Sequence, residues 1–125
     1  MTPLEVYLGQ VRAQVAALRT ASVEYYHEQL LSATRASLRF RLRWRSGVLL
    51  EVREALALVA GTLTWVSYRY HFQDEALLLR YDDAPHRPEL PTHPQHRHHN
   101  ATALPGTRPT LEAFLREVCS LTDLR

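Results

Sequence analysis

His86, His96 and His98 stand close together in the chain, just after Arg80 and Asp82. The two segments read Arg80-Tyr81-Asp82-Asp83-Ala84-Pro85-His86 and His93-Pro94-Gln95-His96-Arg97-His98-His99. Imidazole exchanges protons near neutral pH, and guanidinium grips phosphate through a planar fork. Cutting an RNA phosphodiester without metal needs a base for the 2′-hydroxyl, an acid for the leaving 5′-oxygen and cations for the phosphate. His86, His96, His98 and Arg80 are the residue types for those roles, with Arg69 and His71 in support and Asp82 to orient a ring. His96 and His86 are the expected proton-transfer pair, and Arg80 is the expected phosphate clamp. No metal or cofactor is needed on this reading.

Two other readings of the same residues stand beside it. His96 and His98 are two apart, so an extended backbone turns both rings to one side. That arrangement also suits zinc or another transition metal, and then the protein is a metal-dependent hydrolase. Alternatively the histidines belong to a solvated loop, Arg80 and Asp82 form a structural ion pair, and the chain is a non-catalytic module that binds nucleic acid or protein.

The elements that must position these groups follow from periodicity. Thr2-Pro3-Leu4-Glu5 is a capping pattern, and Leu4, Tyr7, Leu8, Val11, Val15 and Leu18 repeat at helical spacing, which predicts a helix over 2–19. Strands are expected over 22–30, 35–45, 48–58, 63–72 and 76–82. In the second, Leu38, Phe40, Leu42 and Trp44 alternate with Arg39, Arg41, Arg43 and Arg45. Period two sets the apolar residues on one face and the four arginines on the other, either as a solvated face that protects the strand from aggregation or as a track for RNA backbone or an acidic partner. A turn over Arg45–Gly47 pairs Trp44 with Val48, Leu42 with Leu50 and Arg41 with Glu51, with Gly47 in the left-handed position. An even loop after Phe72 puts Val66, Tyr68, Tyr70, Phe72, Leu77, Leu79 and Tyr81 on the apolar face. Ser67, Arg69, His71, Leu78, Arg80 and Asp82 take the polar face. Residues 83–108 hold five prolines, which argues for one long Pro/His-rich loop. Thr110 caps a final helix over 110–121.

The expected fold is thus α+β: one domain over 1–125, an antiparallel sheet of about five strands, and a helix at each end. The sequence has 125 residues and 46% hydrophobic content, enough to bury a core. Its single cysteine, Cys119, excludes an internal disulfide. No apolar run reaches membrane-spanning length and no secretory leader is evident, so the expected compartment is the cytoplasm. All 15 basic side chains are arginine, yet the net charge is only +2. Nucleic acid binding therefore requires arginines gathered on one face.

Three segments carry a family resemblance. They are Tyr68-Arg69-Tyr70-His71-Phe72-Gln73-Asp74, then Leu78 to His86, then Pro94-Gln95-His96-Arg97-His98. Together they resemble the TumE-like toxins of prokaryotic toxin–antitoxin systems, over roughly residues 20–120. The chain departs from that pattern at Asp83 for Asn, His93 for Phe, Gln95 for His and Arg97 for Lys. Gln95 argues against a catalytic base at its position. The resemblance implies a growth-arresting toxin acting on RNA, with Arg80, Asp82, His86, His96 and His98 carried over. It also implies a cognate antitoxin, expected to be acidic and to cover the Arg-rich face. Arg97 joins Arg39, Arg41, Arg43 and Arg45 as a candidate RNA or partner contact. An exposed edge strand would let two copies pair.

Overall fold

The computed structural model describes residues 1–122. Thr2 caps helix α1 (Pro3–Ala16) by accepting from the Glu5 N–H at 3.2 Å. The helix ends before the expected Arg19, and its apolar stripe Leu4, Leu8, Val11 and Val15 is buried. Seven strands follow: β1 (Ser22–Ser32), β2 (Arg35–Arg43), β3 (Leu49–Val59), β4 (Thr62–Gln73), β5 (Leu78–Asp82), β6 (His96–His99) and β7 (Thr102–Pro105). Helix α2 (Leu111–Thr122) closes the described chain, capped by Thr110, which accepts from the Ala113 N–H at 3.0 Å. The strands pair in chain order, each antiparallel to the next.

The sheet has seven strands rather than about five, and 83–108 is not one loop. The four prolines from Pro85 to Pro94 fall in the connection before β6, which itself contains none. Pro105 ends the edge strand β7, where no further strand needs its missing donor. The β6–β7 turn is anchored by Asn100, at φ +54°. Its N–H donates to Leu78 O at 2.7 Å, and its Oδ1 accepts from the Leu78 N–H at 2.8 Å. A residue tolerant of positive φ thus extends the sheet by two strands beyond β5.

The β2–β3 register is as expected: Phe40 faces Val52, Arg41 faces Glu51 and Leu42 faces Leu50, with Gly47 at φ +89°. A four-residue connection, 74–77, joins β4 to β5 and sets Tyr70 opposite Tyr81. Val66 departs from the expected parity. A bulge opposite Ala55 and Leu56 turns Val66 out to 52% exposure and brings Trp65 onto the core.

One row crosses all seven strands on the apolar face: Tyr26, Phe40, Val52, Tyr70, Tyr81, Arg97 and Leu104. Both helices join the single core on this face. Phe114 of α2 packs against Tyr70 and Tyr81 at ring distances of 5.5 and 5.9 Å. With the helices all on one side, the other face is left to polar side chains.

Candidate active site

Strand pairing assembles the polar face into rows that no single strand contains. His27, Arg39, Arg53, Arg69, Asp82 and His96 stand side by side across β1 to β6. The adjacent row is Tyr25, Arg41, Glu51, His71, Arg80 and His98. Arg39, Arg53 and Arg69 are exposed, and among the described residues no ion pair engages them. Like charges directly opposite one another repel, so these three neighbours form a cationic strip ready for an anion. Arg41 differs: it lies 3.2 Å from Glu51 and 3.9 Å from Glu24. Arg43 is 3.1 Å from Glu24. The cationic track therefore runs across the sheet through Arg39, not along β2. Arg45 is exposed in the β2–β3 turn.

A cleft of about 890 Å³ follows this strip. It runs from His27 on β1, past Arg39, Arg53 and Arg69, to Arg80 and His86 at its far end. Arg80 is held from below: its Nε–H donates to His71 Nδ1 at 3.0 Å, and His71 Nε2 lies 3.2 Å from Gln73 Oε1. Those partners place the His71 hydrogen on Nε2 and leave Nδ1 to accept. Burial, then the Arg80 charge, hold the His71 pKa below the ordinary imidazole value, which keeps the acceptor available. Among the described residues no hydrogen bond occupies the terminal nitrogens of Arg80.

The three histidines converge beside Arg80. His98 is its partner across β5–β6, and Asp82 is the partner of His96. His86, on the connection between the two strands, lies 4.9 Å from the His96 ring and 6.4 Å from the His98 ring, and His96 and His98 are 4.8 Å apart. His96 is fully buried, His98 half-buried and His86 exposed. His96 Nδ1 is 3.1 Å from Pro94 O, which can only accept, so Nδ1 carries the hydrogen. Its Nε2 is 3.0 Å from Asp82 Oδ1 but out of line for a hydrogen bond. His98 Nε2 is likewise buried without a partner. Burial, then the neighbouring His96, lower the His98 pKa, which favours the neutral ring.

Arg69, His71, Arg80, Asp82, His86, His96 and His98 are therefore brought together with Arg39. Arg97 is not. It points to the opposite face, with its guanidinium 5.8 Å from the centre of the Tyr81 ring. His96 is too deep to meet a substrate directly, which moves the expected proton-transfer role toward His86 and His98. Arg53 was missed, although the β2–β3 register that sets Arg41 against Glu51 also sets Arg39 against Arg53. Also missed was Glu54, a buried carboxylate on the helix face. It accepts hydrogen bonds from the hydroxyls of Tyr7 and Tyr70 and from Trp65 Nε1. Arg108 covers this network, stacked 3.6 Å over Trp65 and donating to the Tyr70 hydroxyl at 3.2 Å. Glu54 shares its parity with Val52, which was the available signal.

An antiparallel meander backed by two helices, with a guanidinium strip ending at a histidine cluster, defines a small α+β protein with one cationic face. A family model described as Toxin TumE matches residues 12–122, and the chain belongs to that family. It is accordingly a toxin, and such toxins are paired with a cognate antitoxin. No curated protein and no solved structure matches the chain. Among the described residues no helix is long and apolar enough to cross a membrane.

Proposed function

We propose that this toxin is a metal-independent endoribonuclease of the cytoplasm. The observation that carries the reading is that Arg80 and His86 line one end of the Arg39–Arg53–Arg69 cleft, with His98 paired to Arg80 and its ring 6.4 Å from that of His86. A single-stranded RNA lies along the strip with its phosphates on the guanidiniums. Arg80 holds the scissile phosphate, positioned by His71. His98, half-buried and favoured in its neutral form by burial, takes the 2′-hydroxyl proton. The 2′-oxygen attacks phosphorus, the bond to the 5′-oxygen breaks, and protonated His86 gives that oxygen its proton. The products are a 2′,3′-cyclic phosphate and a 5′-hydroxyl. His96, fixed by Pro94 and next to Asp82, positions the two working rings. The cognate antitoxin silences the enzyme by laying an acidic surface over the same strip.

The test is cleavage of total cellular RNA by wild type, His98→Ala and Arg80→Ala, each with and without chelator. The reading predicts chelator-resistant cleavage, cyclic phosphate ends, and loss in both variants. A folded wild type that binds RNA and cuts none over a range of substrates leaves a non-catalytic binding module instead.

A further inference from the structure

The histidine cluster has a property that proton transfer alone does not explain. With its hydrogen on Nδ1, neutral His96 presents a lone pair at Nε2, 3.0 Å from a carboxylate oxygen of Asp82. Two acceptors at that distance repel unless a cation lies between them. A second proton on Nε2 would point out of line with that oxygen, since the pair lacks hydrogen-bond geometry. His98 Nε2 is a second buried nitrogen without a partner in the same place. One ligand nitrogen from each of His86, His96 and His98 lies within 4.8 Å of the others. His96 also has the outer contact usual for a metal-binding histidine, its remaining N–H directed to a backbone carbonyl.

We infer that His86, His96 and His98 form a site for one divalent transition metal ion of the zinc class, with Asp82 as the fourth donor. Imidazole and carboxylate are suitable ligands for such ions. Nitrogens sharing one tetrahedral zinc lie about 3.3 Å apart. The widest separation must therefore shorten by about 1.5 Å. His86, exposed on a connection, supplies that movement, while His96 and His98 stay on their strand. The ion ligates both rings that the proposed reaction uses, displacing the His86 proton and tying up His98, so metal binding and proton transfer exclude each other. Zinc is thus an inhibitor of this enzyme. The inhibitory half rests on the ribonuclease reading; the binding half does not.

The experiment uses untagged full-length protein, titrated with Co2+ as a spectroscopic probe and with Zn2+ in competition. One ion per chain is expected, with tetrahedral cobalt absorption and micromolar or tighter affinity. His86→Gln and His98→Gln are expected to weaken binding at least tenfold, and His99→Gln, outside the cluster, to leave it unchanged. RNA cleavage is expected to fall in step with zinc loading and to return with chelator. No stoichiometric binding, or binding lost in His99→Gln and kept in His86→Gln, overturns the site. Binding that raises cleavage overturns the inhibition and assigns the reaction to the metal. Binding to a protein that cuts no RNA in either state upholds the site and removes the ribonuclease reading.

Discussion

His86 is exposed and His98 half-buried while His96 is fully buried, so equal residue types stand at unequal depths and the proposed reaction asks different work of them. General acid–base contributions run to about a hundred- to ten-thousand-fold. His98→Gln should lower kcat by that order and cost less than about 1 kcal/mol of stability, since the ring is only half-buried. His96→Gln should lower both, because it disturbs a fully buried ring between Pro94 and Asp82. Steady-state kinetics with urea unfolding of the two variants separates the roles. Equal loss of stability in both would contradict this division.

On the scale of strands, the site belongs to pairing rather than to any one segment. Arg39, Arg53 and Arg69 come from β2, β3 and β4 and are neighbours only because registers align them at strand spacing, about 4.8 Å. Arg53→Ala should weaken RNA binding whatever the base sequence. It should also reduce the slope of log affinity against log salt by about 0.7, the value for one phosphate on a single strand. Arg43→Ala, whose side chain is already paired with Glu24, should change neither. Binding measured over a salt series decides this, and equal effects of the two variants would overturn the strip.

The same scale explains what could be read without coordinates. Alternation from Leu38 to Trp44 was enough for β2, and the Gly47 turn fixed its partner residue by residue. The extra strands escaped because proline density was averaged over 83–108. The short proline-free stretch His96–His99 and the turn residue Asn100 carried the contrary signal. The cation strip escaped because alternation along β2 suggested a track of four arginines. Only pairing shows that glutamates neutralise Arg41 and Arg43, leaving Arg39 to join Arg53 and Arg69. The candidate histidines were legible by type, but their depth was not, since it depends on how the connection to β6 lies over β5.

Over the whole molecule, helices and core take one face and the candidate site takes the other, so Glu54 and its tyrosines act on stability from the far side of the sheet. Burial raises the Glu54 pKa more than its hydrogen bonds and Arg108 lower it. A raised folded value means the contribution is fully present below the unfolded value of about 4.3. It is lost as pH rises through the folded value. Wild type should therefore lose stability relative to Glu54→Gln across that interval, as measured by denaturant unfolding at a series of pH values. Parallel curves would contradict the assignment.

In the proposed reaction the open face cuts RNA by using the RNA's own 2′-hydroxyl. The most direct measurement presents the purified toxin, in chelator, with an RNA and with the same RNA uniformly 2′-O-methylated. Both are expected to bind the cationic strip, and only the unmodified strand to be cleaved, leaving 2′,3′-cyclic phosphate ends. Cleavage of the methylated strand, or no cleavage of either, would contradict it.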